Sequence, residues 1–212
     1  RRGAPGSCRR GCTRGTAAPS VAPLPPAVLG SMGAGFSYLY NRIFGGGEYK
    51  VVMVGLDNAG KSTILYRLHL GDVIQTNPTV GSNVEEVMHR NVRFQVWDLG
   101  GQDKLRKVWS TYYVGAHAVV LVVDSMDRER MDIVREELET IVAHEDLAGS
   151  ALLVLANKQD VEGAMTAMEI SQSLQLHALK QQSWQIQACS AVTGKGLNEG
   201  MDWVAHTLRT KR

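Results

Sequence analysis

The sequence has few cysteines that could cross-link it and no apolar run long enough to span a bilayer. Its 212 residues include three cysteines, too few for a disulfide framework in a chain of this length, which predicts a reducing compartment. Cys8 and Cys12 have no partner pair of His or Cys nearby, which argues against a zinc site. No apolar run approaches the roughly 20 residues of a membrane-spanning helix.

Acidic residues are absent from the first part of the chain. Residues 1–31 contain five arginines and no acid, whereas the rest carries 18 basic and 21 acidic residues. This slightly acidic remainder gives no electrostatic footprint for a nucleic-acid backbone. Because residues 1–31 also lack a periodic apolar face, we expect a disordered leader. Three origins stay open: upstream sequence translated in a gene model, an organellar transit peptide, or an expression remnant.

Residues 32–47 have the pattern of a membrane anchor. Met32-Gly33-Ala34-Gly35-Phe36-Ser37 fits the myristoylation motif, so Gly33 is the expected lipidation site provided that translation starts at Met32. Five apolar residues then share one face of a helix: Phe36, Leu39, Tyr40, Ile43 and Phe44. A three-glycine hinge at 45–47 favours a detached amphipathic helix over a core helix. An acyl chain together with this helix predicts reversible membrane binding.

The best-defined motif is GLDNAGKST at 55–63, which fits a phosphate-binding loop. A short apolar run at 50–54 predicts a strand before it, and the pattern over 64–70 predicts a helix that ends at Gly71. The backbone N–H groups of such a loop bind phosphate oxygens. Lys61 is expected to reach the terminal phosphates and Ser62 to ligate Mg²⁺. The predicted phosphate-binding residues of the loop are Asp57, Asn58, Ala59, Gly60, Lys61, Ser62 and Thr63.

Strands and helices alternate along the rest of the chain. The strands are predicted at 84–87, 92–97, 118–123, 151–156 and 184–188, and the helices at 128–144, 166–176 and 196–208. The tight turn at 89–91 predicts a hairpin that adds one antiparallel strand to a parallel sheet. We therefore expect an α/β domain over 48–212, with about six mostly parallel strands and helices on both faces. The helix at 128–144 is expected to carry the ion pairs Arg128–Asp132 and Arg135–Glu139.

A second motif, Asn157-Lys158-Gln159-Asp160, follows a predicted strand about a hundred residues after the phosphate loop. A carboxylate at this place can accept from both N1–H and the exocyclic amine of guanine, whereas adenine lacks that donor pair. Asp160 is therefore predicted to select guanine, while Asn157 holds the loop or reaches the base edge. Ser190 and Ala191 are expected to present backbone N–H groups to guanine O6.

Five segments together resemble small GTPases of the ADP-ribosylation-factor-like group: GLDNAGKST, PTVGSNVE, WDLGGQ, NKQD and CSAVTG. The resemblance covers residues 32–212 and is closest to the fifth Arf-like subfamily. It implies the three-layer fold of P-loop NTPases and a monomer that cycles between GDP and GTP with Mg²⁺. It also implies slow hydrolysis, an exchange factor, an activating protein, and recruitment of a trafficking effector or tether from the cytoplasm to Golgi, trans-Golgi or endosomal membranes.

The same resemblance implies roles for four residues outside the phosphate loop. Thr79 becomes a ligand of Mg²⁺, and Asp98 contacts the ion through water. Gly101 senses the γ-phosphate, and Gln102 becomes the catalytic residue that orients the attacking water. The resemblance further implies that the hairpin over 84–97 slides between the two nucleotide states and expels the N-terminal helix in the GTP form.

Two residues depart from the patterns of related GTPases, and four residues form the expected effector surface. Ser82 stands where the ADP-ribosylation factors proper have Phe, which predicts a different partner set. Asp57 stands where the Ras group has Gly, which places a carboxylate beside the γ-phosphate. The expected effector surface, exposed only with GTP bound, comprises Ser82, Trp97, Tyr112 and Tyr113.

Three alternative functions stay open. If residues 1–31 are a transit peptide, the chain is an organellar GTPase. A GTP-binding module without hydrolysis is disfavoured by Gln102. A phosphoryl-transfer kinase is disfavoured because the sequence has no Arg-rich lid insertion.

Overall fold

The computed structural model describes residues 48–73, 76–77, 79–180 and 182–211. The predicted leader over 1–31 and the predicted helix and hinge over 32–47, with Gly33, lie outside the described residues and stay predictions. The strands are β1 (Glu48–Val54), β2 (Ser82–His89), β3 (Val92–Leu99), β4 (Ala118–Asp124), β5 (Ala151–Asn157) and β6 (Ser183–Ala188). The α-helices are α1 (Lys61–Leu70), α2 (Asp103–Arg106), α3 (Met131–Val142), α4 (Ala167–Ser173) and α5 (Leu197–Thr210). Short 3₁₀ helices lie at Trp109–Tyr112, Glu145–Leu147 and Leu176–Ala178.

The six strands form one sheet in the order β2-β3-β1-β4-β5-β6. Every neighbouring pair is parallel except β2 and β3, which are antiparallel and pair Ser82 with Leu99 and His89 with Val92. Arg90 and Asn91 form the two-residue turn between them, both with positive φ (45° and 61°), as the twist of a hairpin requires. The predicted six-stranded sheet with one antiparallel strand is confirmed.

Successive side chains of a strand point to opposite faces of the sheet, so each face has its own hydrophobic core. Val51 and Met53 of β1 pack into the cluster that contains Ile64 of α1 and Val204 of α5. Their neighbours Val52 and Val54 pack into the opposite cluster, with the apolar residues of α3 and α4. Burying each such side chain contributes about 1.5–3 kcal/mol. The predicted arrangement of helices on both faces is confirmed.

The helix α3 begins at Met131, three residues later than the sequence pattern suggested. Arg128 therefore precedes the helix, and its Nη1 lies 3.2 Å from Glu169 of α4. The predicted Arg128–Asp132 pair is wrong for this reason, whereas Nε of Arg135 does lie 3.8 Å from Glu139. Among the described helices, none has the length and hydropathy needed to cross a bilayer.

The parallel strands place their carboxyl ends at one edge of the sheet. β1 runs into the phosphate loop there, and Asp98, Asp124 and Asn157 stand at or next to the ends of β3, β4 and β5. Ligands of open α/β sheets bind outside these carboxyl ends. The candidate site is therefore built on this edge.

Candidate nucleotide site

The phosphate loop runs from the end of β1 to the N-terminus of α1 and depends on two glycines. Gly55 has φ 145°, and a Cβ at this position would lie 2.2 Å from the carbonyl oxygen of Val122. Gly60 has φ 92°, and a Cβ there would lie 2.4 Å from Nδ2 of Asn157. Only glycine fits these two positions, so the loop keeps the curved backbone that directs N–H groups toward an anion at the helix N-terminus.

A cleft of about 340 Å³ opens above this loop. Nine of the residues that the sequence assigned to the phosphates and to catalysis line the cleft: Asp57, Asn58, Gly60, Lys61, Ser62, Thr63, Thr79, Gly101 and Gln102. Ala59, the remaining loop residue, is buried beneath it. Residues up to 45 positions apart in the sequence therefore meet at one site.

Lys61 is a buried cation at the base of the cleft. Its Nζ donates to the carbonyl oxygens of Gly55 and Leu56, each at 2.9 Å. Burial lowers the pKa of Lys61 to about 8, although the carboxylates of Asp98 and Asp57 act in the opposite direction. Because a phosphate is the counter-ion that would stabilise this ammonium group, the burial of Lys61 fits an anion site.

Three oxygen ligands meet beside Lys61. Ser62 Oγ lies 2.5 Å from Oδ2 of Asp98 and 2.8 Å from Oγ1 of Thr79, and Thr79 Oγ1 lies 3.2 Å from the same carboxylate oxygen. Burial raises the pKa of Asp98, and hydrogen bonds from Ser62 and the charge of Lys61 oppose that rise. Within the described residues, Oδ1 of Asp98 is buried without a hydrogen-bond partner. A set of hard oxygen atoms with one unsatisfied carboxylate oxygen fits Mg²⁺.

The segments that contribute Thr79 and Gly101 pack against each other and against the loop. Gly100 donates from its backbone N to the carbonyl oxygen of Gly81 at 3.0 Å, and Trp109 Nε1 donates to the carbonyl oxygen of Gly100 at 3.0 Å. A Cβ on Gly101 would lie 2.4 Å from the backbone N of Asp57. The backbone of Gly101 is therefore in direct contact with the phosphate loop. Gln102 follows it as the N-cap residue of α2.

Asn157 connects the base-binding end of the site to the phosphate loop. Its Nδ2 donates to the carbonyl oxygen of Ala59 at 2.8 Å, and its Oδ1 accepts from the backbone N of Ala191 at 2.9 Å. Of the two roles that the sequence left open for Asn157, the structure shows the loop-holding one. Asp160 is exposed at the same end, and Lys158 Nζ donates to Asp124 at 2.5 Å.

The backbone donors expected for guanine O6 are engaged inside the protein. The N–H of Ala191 donates to Asn157, so its predicted donation to O6 would share this donor and stays a prediction. The N–H of Ser190 donates to the carbonyl oxygen of Lys195 at 3.0 Å. A contact between Ser190 and O6 would share this donor and stays a prediction.

The residues of the predicted effector surface differ in their exposure, and the surface itself stays a prediction. Ser82 is exposed at the start of β2, and Trp97 and Tyr112 are half-buried with their rings tilted against each other and their centroids 5.5 Å apart. Tyr113 is only 2% exposed and packs edge-on against the ring of His144. Burial raises the pKa of Tyr113 accordingly. Tyr113 is therefore not exposed here, and its predicted exposure with GTP bound stays a prediction.

The sequence reasoning missed one residue that contacts the phosphate loop. Arg130, just before α3, donates from Nη1 to Oδ1 of Asp57 at 2.9 Å. Asp57 and Arg130 are 73 positions apart, so no local spacing relates them. The available signal was Asp127, three residues before Arg130, which can orient an arginine at the carboxyl edge of the sheet.

A family model for the ADP-ribosylation factor family matches residues 36–208 of this chain. The chain belongs to the ADP-ribosylation factor family. It is 52% identical over 180 residues to ADP-ribosylation factor-like protein 5A of Bos taurus, and 51% identical over 180 residues to the Homo sapiens protein; these matches cover 85% of this chain and 100% of each relative. The Dictyostelium discoideum ADP-ribosylation factor-like protein 5 is 51% identical over 176 residues, which cover 83% of this chain and 96% of the relative.

A solved structure agrees with this membership. The Arl6 (BBS3) small GTPase of Trypanosoma brucei, determined with the bound nucleotide analogue GppNp, is similar with a TM-score of 0.73 and 36% sequence identity. The match covers 78% of this chain and 100% of that one.

As a member of the ADP-ribosylation factor family, the chain is a GTP-binding switch protein that binds GTP and GDP with Mg²⁺ and hydrolyses GTP. Members of this family act with exchange factors, activating proteins and effectors. The kinase alternative is thereby excluded.

Proposed function

We propose that this GTPase acts as a switch in vesicle trafficking, binding Golgi, trans-Golgi or endosomal membranes from the cytoplasmic side and recruiting an effector or tether there. The observation that carries the switch is the convergence of Thr79 and Gly101 on one cleft. These residues come from two segments outside the phosphate loop, so their position depends on what the cleft contains. The identity of 52% to ADP-ribosylation factor-like protein 5A supports the trafficking role.

Thr79 and Gly101 distinguish the triphosphate from the diphosphate. Thr79 Oγ1 lies beside Ser62 and Asp98, where it serves as a metal ligand. Gly101 presents its backbone N–H to the third phosphate from its position against the loop. When that phosphate is lost, both segments lose a ligand contact and are released, and the effector surface loses its geometry.

Hydrolysis depends mainly on positioning and on charge stabilisation. Ser62, Thr79 and Asp98 would hold Mg²⁺, which would supply charge neutralisation for the phosphates. Lys61 and the N–H groups of the loop hold the phosphates, and Gln102 orients the attacking water at the rim of the cleft. The intrinsic rate is slow, and an activating protein supplies further charge stabilisation at the reacting phosphate.

Asp160 selects guanine at the other end of the site. Its exposed carboxylate accepts from N1–H and the exocyclic amine, while Asn157 fixes the loop that carries it. Side-by-side binding measurements with GTP and ATP test this assignment. Equal affinities would refute it, and an Asp160→Asn variant is expected to lose the preference.

The membrane contact is assigned to residues 32–47, through the amphipathic helix and an acylated Gly33. The effector contact is assigned to Ser82, Trp97 and Tyr112. Val84, which pairs with Trp97 across the hairpin, is 41% exposed, and Met88 further along β2 is 59% exposed. An apolar surface beside the nucleotide-dependent segments suits a partner that binds one nucleotide state.

Fractionation and pull-down of three variants of the full chain test the proposal. Gln102→Leu retains GTP and is expected on Golgi-type membranes with an effector. Ser62→Asn loses a metal ligand and is expected to remain unbound. Gly33→Ala cannot be acylated at this position, so it tests whether membrane binding needs the acyl chain independently of the bound nucleotide. Equal membrane binding by all three variants would contradict the proposal.

Two experiments address the remaining alternatives. Intact-mass analysis of the native N-terminus distinguishes an acylated Gly33 from a terminus processed before Met32, and the latter would favour an organellar GTPase. Single-turnover hydrolysis that is unchanged by Gln102→Leu in the presence of an activating protein would favour a binding module without hydrolysis.

A further inference from the structure

Asp57 places a carboxylate at the rim of the phosphate cleft, and this carboxylate is held by an arginine. Arg130 donates from Nη1 to Oδ1 of Asp57 at 2.9 Å and from Nη2 to the backbone carbonyl oxygen of Asp57 at 3.4 Å. One guanidinium group therefore binds both the side chain and the backbone of a phosphate-loop residue. The contact holds the carboxylate on the side of the loop that faces Arg130.

Arg130 is itself fixed before it reaches the loop. Its Nε donates to Oδ2 of Asp127 at 2.5 Å, and its backbone N donates to Oδ1 of the same carboxylate at 3.2 Å. Its carbonyl oxygen accepts from the backbone N of Val134 in the first turn of α3. The side chain is one-third exposed. The guanidinium group is thus pre-oriented, which reduces the entropy cost of holding Asp57.

The charge of Asp57 affects nucleotide binding only if no cation neutralises it. Asp57 lines the cleft together with Gly101 and Gln102, the residues assigned to the third phosphate. A free carboxylate at this place would repel the triphosphate more than the diphosphate, because only the triphosphate carries charge there. Asp127, the other acid bound to Arg130, does not line the cleft.

We propose that Arg130 is a positioning residue that sets the preference of this GTPase between GTP and GDP. It neutralises Asp57 and turns its carboxylate away from the third phosphate, so that the cleft accepts GTP despite an acid in the phosphate loop. The proposal deepens the switch described above and rests on the assignment of the third phosphate to the cleft beside Gly101. For charges about 6 Å apart, Coulomb's law gives an effect on the ratio of the two affinities of roughly threefold at the dielectric constant of water and about a hundredfold at the lower effective value near a protein surface.

The test measures the affinities of GDP and of the hydrolysis-resistant analogue GppNp, with Mg²⁺, for the full chain and four variants. These are Arg130→Gln, Asp57→Asn, the double variant, and Arg135→Gln as a matched control. Arg135 lies on α3 and pairs with Asp132 and Glu139, at a distance from the loop. Thermal unfolding of each variant reports whether the fold is retained.

Arg130→Gln is expected to weaken the binding of GppNp roughly three- to a hundredfold more than the binding of GDP, with a smaller difference at high salt because screening reduces it. The double variant is expected to return to the ratio of Asp57→Asn, since no carboxylate remains to be neutralised. Arg135→Gln is expected to match the wild type.

Two outcomes would overturn the proposal. If Arg130→Gln weakens the binding of GDP and of GppNp equally, Arg130 only stabilises the phosphate loop. If the double variant keeps the ratio of Arg130→Gln, the effect does not act through Asp57. The assignment of the third phosphate is tested separately with Gly101→Ala. If Gly101→Ala loses its preference for GppNp while Arg130→Gln keeps the wild-type ratio of GppNp and GDP affinities, the role of Arg130 is refuted and the assignment of the third phosphate stands.

Discussion

Asn157 donates from Nδ2 to the carbonyl oxygen of Ala59 at 2.8 Å, which joins the segment that follows the fifth strand to the phosphate loop. Oδ1 of the same amide accepts from the backbone N of Ala191. The residue is 1% exposed, so neither hydrogen bond has water as a substitute. The base end and the phosphate end of the site therefore form one hydrogen-bonded unit, and damage to Asn157 is expected to affect both.

Asn157→Asp is expected to weaken the binding of GDP and of GTP to a similar extent. The variant replaces the N–H donor with a carboxylate oxygen facing the Ala59 carbonyl, and a buried unpaired polar group costs about 1–3 kcal/mol. This cost corresponds to roughly a five- to 150-fold loss of affinity. Fluorescent-nucleotide titration measures it, with Asn198→Asp on the exposed surface of α5 as control. An unchanged affinity would show that the Asn157 bridge is dispensable.

Gly101→Ala is expected to separate the two nucleotide states. The new Cβ would overlap the backbone N of Asp57, so the segment must move away from the loop and lose the third phosphate. Overpacking of this kind costs about 1–3 kcal/mol. Because GDP makes no contact with Gly101 in the proposed mechanism, its affinity serves as the internal control. Equal losses for GDP and GppNp would contradict the assignment.

The pH dependence of nucleotide binding follows from Lys61. Burial lowers the pKa of this residue to about 8 in the nucleotide-free protein, and bound phosphates raise the pKa again because they favour the charged form. Affinity is therefore full below pH 8 and falls as the pH rises above it, and binding takes up a proton in this range. Calorimetry in two buffers of different ionisation enthalpy measures that uptake.

The Lys61→Met variant provides the control for this experiment, because titration of the guanine base persists in it while the lysine contribution is lost. Proton uptake that is equal in the variant and the wild type would show that Lys61 does not titrate on binding.

Asp202→Asn is expected to loosen the hairpin of β2 and β3 from α5. The carboxylate of Asp202 lies 2.6 Å from Nε2 of His89 and 2.5 Å from Nη2 of Arg90, at the turn end of the hairpin. The expected loss in the free energy of unfolding is about 1 kcal/mol, because the group is partly exposed. Urea unfolding of Asp132→Asn, whose side chain is 84% exposed, is the comparison. An equal effect of the two variants would contradict a specific role for this contact.

The sequence was sufficient to predict the fold because its signals are local. Continuous apolar runs such as Ala118–Asp124 identify buried parallel strands, and the loop at 55–63 carries a spacing that phosphate binding requires. The two-residue turn at Arg90 and Asn91 is short enough to impose a hairpin. These features depend on neighbours in the chain, so periodicity and motif spacing describe them well.

The remaining features depend on contacts between distant segments. The direction of Tyr113 is set by packing against His144, and two adjacent tyrosines give no indication of which one is buried. The four-residue helix α2 is too short for a periodic signal. The donor of Ala191 is used by Asn157, 34 positions earlier, which no local pattern predicts. Such contacts cluster where the site is assembled from several loops.

Hydrogen exchange of the full chain with bound Mg²⁺ and either GDP or GppNp tests the switch most directly. The segments that carry Thr79 and Gly101 are expected to be protected with GppNp and to exchange faster with GDP, while β4 and β5 are expected to be equally protected in both states. Equal exchange of the two segments with GDP and GppNp would contradict a switch that reads the third phosphate.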